Sequence, residues 1–129
     1  PSLRSLVLIA TMALTAAGCD SAPIRDLKGL FQGNEGNPAL ASGVKLYEEG
    51  SYGDAAKSLQ AALDQGLSGG DQVSAHKYLA FIHCVSARER LCREEFRKAV
   101  EINPELELQP AEAGHPIWGP VFRSVRTRK

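Results

Sequence analysis

Three cysteines are the side chains in this 129-residue chain whose type and spacing point to covalent chemistry. Seven residues separate Cys84 from Cys92 around a predicted turn. Two thiols so placed, in an oxidising compartment, form a disulfide across one helical hairpin. Closing so short a loop contributes roughly 2.5 kcal/mol in the chain-entropy account, a large share of a small domain's stability. His76 and His83, with Cys84, have the side-chain types of a metal site. They lie two helical turns apart, about 10 Å along an axis, and neither zinc-finger nor HExxH spacing occurs. Nucleophile elbows and phosphate-cradling glycine loops are absent from the sequence. No metal, no cofactor and no catalytic activity are therefore expected.

Cys19 belongs to a different pattern. Arg4 supplies a positive charge, an apolar run of about a dozen residues follows from Leu6 to Ala17, and Ala16-Ala17-Gly18 precedes Cys19 and Asp20. A charged start, a short apolar core and small residues make a secretory signal, too short to remain as a membrane span. A cysteine directly after such a cleavage site resembles the lipobox of bacterial lipoproteins, with Ala16 where most have Leu. On that resemblance residues 1–18 are a signal peptide and Cys19 carries the lipid. Residues 19–38, with Gly29, Gly33, Gly36, Pro23 and Pro38, read as a flexible tether. Ile24, Leu27, Leu30 and Phe31 also fit a short docked helix. As a coil the tether holds the domain on the order of 20 to 25 Å from the membrane.

Formal charge is balanced, with fifteen basic and fifteen acidic residues, which argues against nucleic acid as a partner. Asp20 to Ala75 holds eight acidic and four basic residues, whereas His76 to Lys129 holds seven acidic and ten basic. Arg123, Arg126, Arg128 and Lys129 make a basic end that either meets an anionic surface or keeps the chain soluble.

The elements that position the second and third cysteines are helices. Leu40, Val44 and Tyr47 share one stripe, and Tyr52, Ala55, Ala56, Leu59, Ala62 and Leu63 another. Asp71 is the expected cap of a third helix carrying Val73, Leu79, Ala80, Phe81 and Val85. Leu91, Cys92, Phe96, Val100 and Ile102 mark a fourth, closed by Pro104. Overlaying the first two helices on the second two gives a period near 37. Gly43 then falls on Ala80, Ala55 on Cys92, Leu59 on Phe96 and Ala62 on Ala99, while Leu46 falls on His83. That small–small–bulky–small rhythm resembles the tetratricopeptide repeat. The expected fold is all-α: two such hairpins over residues 39–129, with a C-terminal capping helix. Pro120 suits that helix's first turn, Val121, Phe122 and Val125 share its face, and Trp118 packs on the last hairpin. The inner surface of the hairpins, lined by Leu40, Val44, Tyr47, Glu48, Lys77, Tyr78 and Phe81, is the expected partner-binding face.

The pieces GVKLYEEGSYGDAAKSLQAAL, AHKYLAFIHC, CREEFRKA and NPELELQPAEAGHPIWGPVF, spanning Gly43 to Phe122, are similar to the TssQ-type lipoproteins associated with bacterial type VI secretion. The cysteine pair and Ala113 to Pro120 carry most of the likeness. It implies an accessory lipoprotein facing the periplasm, anchored to the inner or outer membrane, with membrane-complex components as protein partners and no catalytic role. Two alternatives remain open at this point: an assembly lipoprotein of another envelope system, and a cysteine-rich repeat enzyme of the envelope.

Overall fold

The computed structural model describes residues 37–127. The signal segment 1–18, Cys19, the tether as far as residue 36, and Arg128 and Lys129 lie outside the described residues. Six helices follow one another: α1 (Pro38–Glu48), α2 (Tyr52–Gln65), α3 (Gly69–Val85), α4 (Glu89–Ile102), α5 (Pro110–Ala113) and α6 (Trp118–Arg126). Among the described residues none is in a strand.

Local chemistry sets the boundaries. The Asn37 side chain caps α1 by accepting from the Ala39 N–H at 2.7 Å, and Pro38 fills the first helical position, where no amide is needed. Helix α3 begins earlier than the sequence suggests. Ser68, not Asp71, is its cap, because the Ser68 hydroxyl accepts from the Asp71 N–H at 3.4 Å. Asp71 instead places its carboxylate in the first turn, where the helix dipole favours it. Helix α4 likewise starts two residues ahead of Leu91, which leaves Ser86–Arg88 as a three-residue turn.

The turns after α1 and α3 are built alike. After α1, Ser51 N–H donates to the Leu46 carbonyl at 2.9 Å and Gly50 N–H to that of Tyr47 at 3.0 Å, with Gly50 at φ +82°. After α3, Arg88 N–H donates to His83 at 2.8 Å and Ala87 N–H to Cys84 at 3.2 Å, with Ala87 at φ +61°. Both are the left-handed helix stop in which two trailing amides satisfy the last carbonyls. Gly50 and Ala87 are 37 residues apart, as are Leu46 and His83. The one pair that disagrees in side chain therefore agrees in what its backbone does.

Each turn folds its second helix back along its first. Asn37 at the start of α1 reaches Gln65 at the end of α2, with Nδ2 to Oε1 at 3.0 Å, and the Ser58 hydroxyl donates to the Ala39 carbonyl. Close approach is allowed by Gly43, where a Cβ would stand 2.7 Å from the Leu59 side chain. The repeat-matched residues Ala55, Leu59 and Ala62 of α2, and Cys92, Phe96 and Ala99 of α4, are all fully buried. Helix α3 lies between two apolar clusters. Leu40, α2, Ala75, Leu79 and Ile82 form one, and Ala80, Phe81, Cys84, α4 and α6 form the other.

The chain beyond Asn103 returns over the second hairpin. Leu108 is buried, and α6 inserts Trp118, Val121, Phe122 and Val125 against α3 and α4. Trp118 stacks on Phe81 with centroids 4.2 Å apart, and Phe122 meets Phe96 edge-on at 5.2 Å. The Trp118 indole N–H donates to the Glu112 carbonyl at 2.8 Å, so the buried ring leaves no donor unsatisfied. Pro120 sits in the first turn of α6, as its fixed φ permits.

The sulfur atoms of Cys84 and Cys92 stand 1.99 Å apart, and their α-carbons 5.1 Å apart, within the range a disulfide spans. The bond ties the last turn of α3 to the first of α4 across the turn that holds Ala87. Protein purified from an oxidising compartment is expected to show no titratable thiol at either cysteine. Reduction, or Cys84→Ser, is expected to lower the melting temperature by on the order of 10 °C, since about 2 kcal/mol moves the midpoint that far in a domain of this size. Two free thiols in the native protein contradict this. Ala87→Gly should act in the opposite sense. Relief of a left-handed alanine is worth on the order of 1 kcal/mol, read as a higher denaturation midpoint.

Candidate functional site

The structure divides the seven residues expected to line an inner face. Leu40 and Phe81 belong to the core, 6 % and 1 % exposed. This corrects the expectation that they meet a partner. Leu40 is covered by α2 and α3, and Phe81 by Trp118, which arrives from 37 residues downstream. Val44 is half-buried against the first cluster.

Lys77 is committed to the chain itself. Its ammonium lies 3.0 Å from Glu112 Oε2 of α5 and over the rings of Tyr78 and Phe81, at 4.9 and 5.7 Å from their centroids. Glu112 Oε1 also accepts from the Gln109 N–H at 3.0 Å. Glu112 thus fastens α5 to α3 through its carboxylate and fixes Trp118 through its carbonyl. Helix α5 is not among the elements expected from apolar spacing, although Pro110 at its first position and Glu112 at its third are the signal of a helix start.

What remains open to solvent is a cluster of tyrosines. Tyr47 of α1 and Tyr78 of α3 are half-buried, and each packs against both apolar clusters. Their rings meet edge-on at 5.2 Å, and Phe81 lies 6.1 Å from Tyr47 and 5.8 Å from Tyr78. The expected grouping of these three aromatic rings on one side is thus present. Tyr52 adds a fourth ring, 5.7 Å from Tyr47 and 38 % exposed. Periodicity had placed Tyr52 only on the apolar face of α2. Its nearness to Tyr47 follows from the tight Glu49–Ser51 turn, which brings the end of one helix beside the start of the next. Glu48 stands exposed next to Tyr47.

Burial, then the neighbouring Tyr52, Tyr78 and Glu112, push the Tyr47 phenol up to about 12. Burial, then Glu112 and Glu48, raise that of Tyr78. Both therefore remain neutral hydroxyls, available as donors or acceptors, across physiological pH. The arrangement offers aromatic area, hydroxyl tips and a carboxylate rim. Those are properties of a recognition surface.

The side chains considered for a metal are engaged elsewhere. Cys84 is bonded to Cys92. His76 Nδ1 lies 2.6 Å from Glu95 Oε2, and Lys98 lies 3.0 Å from Glu95 Oε1. Arg88 Nε donates to His83 Nδ1 at 3.1 Å. Among the described residues no group of three or more potential ligands could hold an ion. Of the basic end, Arg126 donates to the Leu106 carbonyl and to Glu107, and Arg123 donates to the Ala113 carbonyl at 3.4 Å. These two arginines hold down the returning chain.

These contacts give stability a definite dependence on pH. Burial, then the Arg88 guanidinium, hold the His83 imidazole below its ordinary value of 6.5. Burial alone would raise Glu95, but hydrogen bonds from His76 and Lys98 outweigh it and hold the carboxyl below 4.5. In both cases the unfolded chain takes up its proton first as pH falls, so stability declines on acidification. The His83 contribution is complete above pH 6.5 and is lost from there downward. The Glu95 contribution is lost only below 4.5. The melting temperature should therefore fall in two stages, and His83→Gln should flatten the first while leaving the second. An unchanged slope between pH 7 and 5 in that variant sinks the assignment.

The chain matches no protein-family model, no curated protein and no solved structure.

Proposed function

We propose that the chain is a non-catalytic adaptor with two tetratricopeptide-like hairpins, anchored by a lipid on Cys19, facing the periplasm and serving the membrane complex of a type VI secretion system. The observation that carries the adaptor part is the partly exposed surface of Tyr47, Tyr52 and Tyr78 at the seam of the two hairpins. Tyrosine recurs in recognition surfaces because a rigid ring covers apolar area while its hydroxyl tolerates water. Support for the repeat comes from the matched small residues and the two equivalent turns. The cysteine pair at bonding distance suits an oxidising compartment. Among the described residues no helix is long and apolar enough to cross a membrane, and attachment is assigned to Cys19. The secretion assignment rests on the sequence resemblance of Gly43 to Phe122.

Two experiments test the reading. Cys19→Ser should abolish labelling by a fatty-acid probe, and a variant that still labels removes the anchor. Full-length protein should co-purify with membrane-complex components of the secretion system of its own cell. Tyr52→Ala and Tyr78→Ala should weaken that capture by about thirtyfold each, the equivalent of roughly 2 kcal/mol for an aromatic anchor, with helicity retained. Trp118→Ala should instead cost roughly 3 to 5 kcal/mol of stability through lost packing, and Phe81→Ala should behave likewise. Tyrosine variants that fold and capture normally overturn the surface. A lipidated wild-type protein that captures none of these components points to another envelope system.

A further inference from the structure

Resting on the adaptor reading above, we infer that the tyrosine surface recognises cationic side chains, and that its partner presents a lysine- or arginine-bearing segment there. The chain already shows the contact in miniature. The Lys77 ammonium sits 4.9 Å from the centroid of Tyr78, where the negative face of the ring attracts it. That cation is balanced by Glu112 at 3.0 Å, and it occupies only one of the three tyrosines.

Tyr47 and Tyr52 have no such cation among the described residues, and the exposed Glu48 and Glu49 follow Tyr47 directly in the chain. Glu48 is exposed and forms no ion pair among the described residues. Glu49 touches Lys45 only at 4.0 Å, across an exposed pair that contributes little. The hairpin Pro38–Gln65 carries four carboxylates against two lysines. The net charge of the hairpin therefore disfavours an anion, and a neutral apolar segment makes no use of it. A cation gains from both the rings and the rim. Opposite charge speeds the encounter as well as fixing its register.

The test uses the full chain in detergent micelles and two synthetic peptides. One is an octapeptide alternating glycine and lysine with blocked ends. The other is the same peptide with every lysine acetylated, which keeps the stems and removes the charges. Tyrosine ring shifts by NMR report binding at Tyr47, Tyr52 and Tyr78 separately. The lysine peptide should bind at least about tenfold more tightly than the acetylated one, and more weakly as salt is raised. Tyr52→Leu and Glu48→Gln should each reduce its affinity, by about two- to thirtyfold. Neither should change the melting temperature much, since both residues are exposed.

Equal binding of the two peptides overturns the cationic inference and leaves the adaptor reading standing, with an apolar partner. Equal binding of the lysine peptide to wild type and Tyr52→Leu also overturns it, as diffuse attraction to an acidic hairpin. If neither peptide moves the tyrosine signals, the inference fails outright. The adaptor reading is then judged separately, by capture of the membrane-complex components.

Discussion

Helix α3 buries side chains around most of its circumference, and the rest of the structure follows from the need to cover them. Val73, Ala75, Leu79, Ala80, Phe81, Ile82 and Cys84 are all buried along its seventeen residues. An amphipathic helix needs one neighbour, whereas a helix apolar all round must be enclosed. Its α1–α2 side is met by Leu40, Leu59 and Ala62, and its α4 side by Cys92 and Phe96. Phe81 still lacks cover with these four helices alone. Two hairpins of this size leave an open end, and the returning C-terminal chain closes it with Trp118.

The closure is held by unlike forces acting on the same few residues. His115 stacks on one face of the Trp118 indole at 3.4 Å, and Phe81 covers the other at 4.2 Å. Both rings cannot fit on one face at those separations, so the indole lies between them. Gly119 lets α6 pass close to α5, since a Cβ there would stand 2.6 Å from the Ala113 carbonyl. The Lys77–Glu112 pair is only 17 % and 19 % exposed. Desolvation takes back much of what such a pair gains, so its main effect is to fix where α5 lands. Apolar burial supplies the energy and the ion pair supplies the register.

Much of this was legible in the sequence, for identifiable reasons. The four long helices announce themselves through apolar spacing, and the period of 37 through Gly43, Ala55, Leu59 and Ala62 against Ala80, Cys92, Phe96 and Ala99. The cysteine pair follows from seven intervening residues around a turn. Helix starts were less legible, because Ser68 and Asp71 are both good caps and only the backbone chooses between them. Leu40 and Phe81 were misplaced for a deeper reason. Periodicity identifies the apolar face of a helix but is silent on what covers it. The cover for Phe81 lies 37 residues away, behind a proline-rich stretch with no period of its own. The Lys77–Glu112 contact, 35 residues long in sequence, was hidden for the same reason.

Residue choice nevertheless records the outcome in one place. Each phenylalanine among the described residues, Phe81, Phe96 and Phe122, is at most 5 % exposed. Each tyrosine of the chain, Tyr47, Tyr52 and Tyr78, is partly open to water. The two side chains differ by one hydroxyl, which is costly to bury without a partner and harmless at a boundary. Phe81 and Tyr78 are one helical turn apart on α3 and touch at 5.8 Å, yet one lies beneath Trp118 and the other does not. The edge of the C-terminal cover therefore runs between them. On the covered side the aromatic cluster is core. On the open side the same cluster continues as a surface, held in place by packing that no partner needs to supply. That continuity makes Tyr47 and Tyr78 rigid without making them unavailable, and rigid aromatic rings lose little entropy when something docks on them.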